Sequence, residues 1–515
     1  MKPYILAITA VLLLALGSWW RSQPLVQPEQ LAPSDRPAET HSYRWQPKRC
    51  WFDVHWQPGF VCGTLHPPAH PPAHPPPEHG DFELAVVIIR APVPAPDTAP
   101  LLYLQGGPGL GAGLDESGIE YWLDWFSHGG LDRDLVLMDP RGVGHSRPAL
   151  TCEAHDRYSA RVLTEHTPVE DELESGRALL ARCFSELMHG PTNFQAKHYG
   201  TQQSARDIVG LMSVLDYPQW HLLGVSYGTR LALAVAVQPE VRKHNWVRSM
   251  ILDSVYPPER GGLMAWPREF TQSLERFFSW CEQQPYCRAE LNDVEENFQN
   301  ALAHLRNNPV AVTVPLWRSG SRKSVIINDH RFIAAVFSAM YQHHLWAEIP
   351  RAIRAALNAD SEGMALLVET FINSSLNPAL SLPAFYATDC RDHPSGSADE
   401  YQQALHAYPQ YAHYLQYAWE YRGCIHFPPA QSTNNAAVTA ELAGEIPTLL
   451  LAGELDPITP AHWAQTLAEH WPASQLKILP ARGHSIIGSD DCVHRHFNDF
   501  LNQPEQSWHP ECLEP

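Results

Sequence analysis

Gly224-Val225-Ser226-Tyr227-Gly228 constrains this chain more than any other stretch. It lies between the apolar run His221-Leu222-Leu223 and the helix-like run Leu231-Ala232-Leu233-Ala234-Val235. A serine placed there sits on a sharp strand-to-helix turn, where glycines two residues to either side relieve crowding and let the hydroxyl project beyond a sheet. The pattern is a nucleophile elbow where its surroundings agree, and an ordinary Gly-bounded turn where they do not.

The surroundings agree. Thr448-Leu449-Leu450-Leu451-Ala452-Gly453 reads as a buried strand and leads into Glu454-Leu455-Asp456-Pro457. Leu476-Lys477-Ile478-Leu479-Pro480 reads as another and leads into Arg482-Gly483-His484-Ser485. Met alone, Asp456-Pro457 is a turn initiator and His484 one loop histidine among 28. Together with Ser226 they follow the chain order Ser, Asp, His of the α/β-hydrolase triad, each just past a strand. The three types are chemically complementary. A serine hydroxyl needs a base to become nucleophilic, histidine titrates near neutrality, and an acid behind the ring fixes its tautomer. His484 is the expected general base and Asp456 its orienting partner.

A second glycine cluster extends the pattern. The strand Leu101-Leu102-Tyr103-Leu104 runs into Gln105-Gly106-Gly107-Pro108-Gly109, where a backbone N–H can approach a developing oxyanion. The loop donor is assigned to Gly107, with Gly106 the close competitor, and the second donor is the N–H of Tyr227. A further strand, Asp134 to Asp139, precedes Pro140-Arg141-Gly142-Val143-Gly144-His145-Ser146. Arg141 reads equally as a buried strut or as a solvated loop residue.

Taken together, Gly106-Gly107-Pro108-Gly109, Asp139-Pro140-Arg141-Gly142-Val143-Gly144-His145-Ser146, the elbow, Gly453-Glu454-Leu455-Asp456-Pro457 and Gly483-His484 resemble the prolyl and tripeptidyl aminopeptidases. The tripeptidyl branch, with its characteristic C-terminal segment, is the nearer of the two, and the resemblance runs from Cys50 to Cys512. It implies an α/β-hydrolase fold with a large, mainly helical cap inserted after the sixth core strand, and release of N-terminal residues or short peptides from polypeptides. Two departures bear on substrate preference. Gln105 stands where the prolyl branch has His, and a His/Pro repeat from His66 to His79 replaces a short acidic turn.

Domain boundaries follow from the pattern of strands. Residues 46–254 and 446–515 form the expected hydrolase core, and 255–445 the cap, because the strand pattern stops after Ser249-Met250-Ile251-Leu252-Asp253. Within that gap Leu274–Phe278, Val294–Leu302 and Phe332–Phe337 have helical spacing, and the tyrosines from Tyr401 to Tyr421 read as cap packing. An aminopeptidase must bind a protonated α-amine, for which a carboxylate in an apolar cleft is the natural device. Glu259, Glu348, Glu369 and Asp392 are the candidates, with Asp392 preferred because a bridge at Cys390 would hold it rigidly.

Residues 1–21 carry Lys2 and the apolar run Ile5 to Leu16, an export signal or, uncleaved, a membrane anchor with Trp19, Trp20 and Arg21 at the interface. Residues 22–45, rich in Pro, Gln and Ser, read as a tether. Export makes a periplasmic or extracellular location the expectation. Ten cysteines in such a chain point to disulfides. Sequence does not fix their connectivity, but the simplest solution is local: 50 with 62, 152 with 183, 281 with 287, 390 with 424, and 492 with 512. The first, fourth and fifth also fit the family pattern. No Cys-x-x-Cys occurs, and histidines four apart in the His/Pro repeat do not share a face of polyproline II, so neither a metal nor another cofactor is expected.

A net charge of −20 argues against nucleic acid, whose phosphates need a basic surface. Peptides with a free N-terminus are the expected partners, and oligomeric state is left open. Two other functions fit the same residues. An esterase or other acyl hydrolase would use the identical triad, and a catalytically silent binding protein is disfavoured by the triad being intact.

Overall fold

Alternating apolar residues along short strands build one nine-stranded sheet in the computed structural model, which describes residues 43–68, 82–92, 99–190, 194–393, 396–421, 424 and 445–513. In chain order the strands are β1 (Arg44–Lys48), β2 (Phe60–His66), β3 (Leu84–Ile89), β4 (Leu101–Leu104), β5 (Leu135–Met138), β6 (Trp220–Val225), β7 (Val247–Asp253), β8 (Val310–Pro315), β9 (Arg322–Ile327), β10 (Thr448–Gly453) and β11 (Ser474–Leu479). The large sheet has the order β1-β2-β3-β5-β4-β6-β7-β10-β11. Pairing is antiparallel from β1 to β5 and parallel from β5 onward.

Strands β3, β5, β6 and β10 are buried along their whole length, as expected where helices cover both faces. Along β3, Leu84, Val86 and Ile88 join one core, which includes Leu211, Ala232 and Leu467 from three helices. The intervening Ala85, Val87 and Ile89 join the opposite core with Trp122, Trp125 and Phe497. The α/β architecture expected from sequence is therefore present, with the parallel strands pointing their C-terminal ends to one edge.

Between β7 and β10 the chain is mainly helical and packs around its own core, with Phe277, Phe298, Phe332 and Trp346 among its buried residues. Tyr401 and Tyr411 are fully buried in that core. The insert leaves the sheet after the sixth strand when the short edge strand β1 is not counted. Two sequence expectations need correction. The strand pattern does not stop inside the insert, since β8 and β9 form an antiparallel hairpin whose first strand alternates buried and exposed residues. The tether does not reach residue 45, because Arg44 and Trp45 already pair with His66 and Leu65 in β2.

His66, first in the His/Pro repeat, is likewise part of the fold. It is buried at the end of β2 and bonded to Gln46 Oε1 at 2.9 Å, whereas residues 69–79 lie outside the described residues. The N-terminal apolar run also lies outside them, and no helix among the described residues is long and apolar enough to cross a membrane. Five disulfides join the cysteines in the local pairing.

Candidate active site

Strand β6 delivers Ser226 to the sheet edge, and the helix Tyr227–Ala236 begins directly after it. Ser226 has φ 57°, a left-handed conformation that a non-glycine residue holds only when its surroundings force it. Those surroundings are glycines. A Cβ on Gly224 would collide with the Gly228 carbonyl, and one on Gly228 with the Leu104 carbonyl. Close approach of β4, β6 and the helix thus explains why glycine flanks the serine on both sides.

The Gln105–Gly109 loop follows β4 and reaches the same point. A Cβ on Gly106 would lie 3.0 Å from the Val225 carbonyl and 3.2 Å from Ser226 Cβ, so Gly106 is the loop glycine packed on the elbow. Gly107, at φ 117°, turns the chain beside it. The Tyr227 ring is buried beneath, its hydroxyl 2.7 Å from Thr201 Oγ1.

Asp456 and His484 come from the loops after β10 and β11. His484 Nδ1 donates to Asp456 Oδ2 at 2.7 Å, and both residues are buried. The same carboxylate accepts the amides of Ile458 and Thr459 at 2.9 Å each and the Thr459 hydroxyl at 2.7 Å. Burial alone would raise its pKa, but the imidazole and these donors outweigh it and hold Asp456 below the usual carboxylate range. With Nδ1 committed to Asp456, Nε2 is the ring nitrogen left for proton transfer. Among the described residues neither Nε2 nor Ser226 Oγ carries a hydrogen bond.

Sequence reasoning missed the residues that bring these loops together. Asp253, at the end of β7, accepts the Ser226 N–H at its carbonyl (2.9 Å) and the Ile486 and Ile487 amides at its carboxylate (2.9 and 2.8 Å). Ser254 adds a bond from the Ser485 amide at 2.8 Å. From the insert, the Tyr341 carbonyl accepts the His484 N–H at 3.1 Å, and its ring stands edge-on to the imidazole. Only Thr459 carried a local signal, standing three residues past Asp456 where its hydroxyl can fold back.

Arg141 is a buried strut, paired with Asp207 through two bonds of 2.6 and 2.7 Å. Of the weaker candidates, Asp392 is brought to the elbow helix but is already occupied. Thr201 donates to it and Arg230 lies 3.7 Å away, while burial still raises its pKa, so this carboxylate is engaged within the fold and stands less ready to receive an amine than its sequence position suggests. Glu369 accepts the Trp317 indole N–H at 2.6 Å, and Glu348 pairs with Arg351 at 3.5 Å. Glu259 is exposed on the turn that follows β7.

Residues 99–491 match the family described as alpha/beta hydrolase fold, and the chain belongs to it. Serine protease Hip1 of Mycobacterium tuberculosis is 25% identical over 478 residues, spanning 86% of this chain and 85% of that protein. Tripeptidyl aminopeptidase of Streptomyces lividans is 24% identical over 422 residues, spanning 78% and 74%. A solved proline iminopeptidase of Mycobacterium smegmatis aligns with a TM-score of 0.40 at 15% identity, over 83% of this chain and 96% of that one. The family and the two sequence relatives make this chain a serine hydrolase, and the resemblance to the tripeptidyl aminopeptidase group stands.

Proposed function

We propose that the chain is an exported serine exopeptidase that releases N-terminal residues or short peptides from polypeptides. The observation that carries this reading is the buried 2.7 Å bond between His484 and Asp456, at the sheet edge where the strained Ser226 stands. In the proposed cycle Ser226 Oγ attacks the scissile carbonyl as His484 Nε2 takes its proton. The N–H groups of Tyr227 and of the Gly107 loop hold the oxyanion. Collapse expels the new amine with the proton from His484 and leaves an acyl-enzyme, which water then hydrolyses by the same proton path. Thr459 and the Ile458 amide keep Asp456 ionised and aimed while the imidazolium forms.

Residues 44–254 and 446–515 would serve as the catalytic core, with 255–445 as a cap over its edge. With Asp392 occupied, Glu259 at the root of the cap is the carboxylate offered to a substrate α-amine. Five disulfides support export to an oxidising compartment, with residues 1–21 as signal or membrane anchor.

The test compares one chromogenic tripeptide anilide with its amine free and acetylated. The free form is turned over and the acetylated form is not. Equal turnover of both points instead to a general acyl hydrolase with the same triad.

A further inference from the structure

Beside the oxyanion loop lies a cavity of about 300 Å3 that no step of the proposed cycle uses. Ser226 and His484 are not in its walls, but Gly106, Val225 and Ser485 are, so it opens against both sides of the candidate relay. Its size falls at the lower end of ligand pockets.

The lining is aromatic with a few polar tips. Tyr103, from β4, packs against Trp122 with ring centroids 4.5 Å apart, and Tyr121 packs against the same indole at 5.3 Å. The Trp122 N–H is already spent on the Ala112 carbonyl at 2.7 Å. The hydroxyls of Tyr103 and Tyr121 and the side-chain amide of Gln105 have no hydrogen-bond partner among the described residues. Burial pushes both phenols well above their ordinary pKa, so they remain neutral donors.

No uncommitted charge faces the space. Asp139 in the wall has both oxygens taken by the amides of Ala112 and His145, at 2.7 Å each. Burial lowers the pKa of His145 and favours its neutral form. At the rim Arg318 of the insert pairs with Asp115 of the core at 2.9 Å, cancelling both charges. An anionic occupant would lose its hydration beside the Asp139 carboxylate, and a cationic one would find both Asp139 oxygens already taken by amides, whereas a neutral ring would keep apolar contact and find donors for its polar atoms.

We infer that this cavity receives a large uncharged residue of the substrate, aromatic by preference, immediately beside the scissile bond. Its ring lies along the Tyr103 and Trp122 wall, and its polar atoms meet the Tyr103 and Tyr121 hydroxyls and the Gln105 amide. The inference rests on the peptidase reading above and gives that site its side-chain selectivity. Gln105, where the prolyl branch has His, becomes part of the specificity surface.

The experiment measures kcat/KM for free-amine peptides that differ only at the residues flanking the cleaved bond, with Phe, Tyr, Gly, Asp or Lys at each position in turn. At one of the two positions Phe or Tyr should exceed Asp, Lys and Gly by at least about tenfold, the scale of pocket discrimination for apolar side chains. Ser117→Trp, at the exposed rim, should bring that ratio close to one, while Ser117→Ala keeps it. Because each ratio is internal to one protein, partial loss of folded enzyme does not affect it. Peptides cleaved with no preference at either position, or a preference untouched by Ser117→Trp, overturn the pocket alone. Absence of any peptide cleavage alongside turnover of p-nitrophenyl acetate overturns the peptidase reading and this inference with it.

Discussion

Asp253 is bonded to Ser226 through its main chain, its carbonyl accepting the serine N–H at 2.9 Å, while its buried carboxylate holds the amides of Ile486 and Ile487 just past His484. One residue thereby fixes the Ser226 strand end and the His484 loop to each other. The Cα register supports this, since Val225 is paired with Asp253 across β6 and β7.

Asp253→Asn should loosen that clamp, because an amide side chain has one acceptor where the carboxylate supplies two. Loss of one buried bond to a charged group costs about 1.5–3 kcal/mol, read as a lower urea midpoint. Turnover should fall with it, kcat more than KM, because the loop carries the proposed base and not the substrate. An unchanged kcat would remove Asp253 from the positioning of His484.

Stability should also depend on pH through the same group. Burial raises the Asp253 pKa to about 6, although the two amides and His484 pull it back. In the unfolded chain the carboxyl titrates near ~3.9, so between those values the folded state binds more protons and stability falls as pH rises. Asp139, also at about 6, adds a slope of the same sign. Urea unfolding across pH 4 to 6 should show a shallower decline in Asp253→Asn than in the parent, and identical slopes would contradict the shift.

Thr459 is the next test of the acid side of the relay. Its hydroxyl donates to the Asp456 oxygen that also receives His484, and it stands 3.2 Å from His484 Nδ1. Thr459→Val keeps the shape and removes that donor, and at about 1.5–3 kcal/mol for a bond to a charged group kcat should drop roughly ten- to a hundredfold. Labelling by a fluorophosphonate should slow in parallel, and the urea midpoint should fall as well, because the bond is already made in the fold.

Breaking the buried Arg141–Asp207 pair should act on folding. Arg141 is buried with Asp207, and its guanidinium stacks on Phe82 at 4.1 Å. Asp207→Ala leaves a buried cation unpaired, at a cost of about 3–5 kcal/mol. Pairing it with Arg141→Met should recover much of that loss, and absence of recovery would show that the pair is more than a charge-balancing strut.

The local parts of this site were legible because they are written in contiguous residues. The elbow glycines, the strand before each loop and the chain order of Ser226, Asp456 and His484 all reflect nearby sterics or strand periodicity. What stayed hidden is contact between distant segments. Arg141 reads equally as strut or surface residue because its partner Asp207 lies far along the chain, and nothing near Asp253 announces that Ile486 and Ile487 close on it. Asp392 looked free because its partners Thr201 and Arg230 lie far back in the chain. The hairpin was different. Val310-Ala311-Val312-Thr313-Val314 alternates openly, and the expectation that the strand pattern stops after Asp253 overlooked it.

The most direct measurement is fluorophosphonate labelling and turnover of Ser226→Ala beside the parent protein. Labelling should vanish, and turnover should fall by about a million-fold, as for loss of the nucleophile in a triad of this kind. Persistent labelling, or turnover within about tenfold of the parent, would place the nucleophile elsewhere and contradict the relay of Ser226, His484 and Asp456.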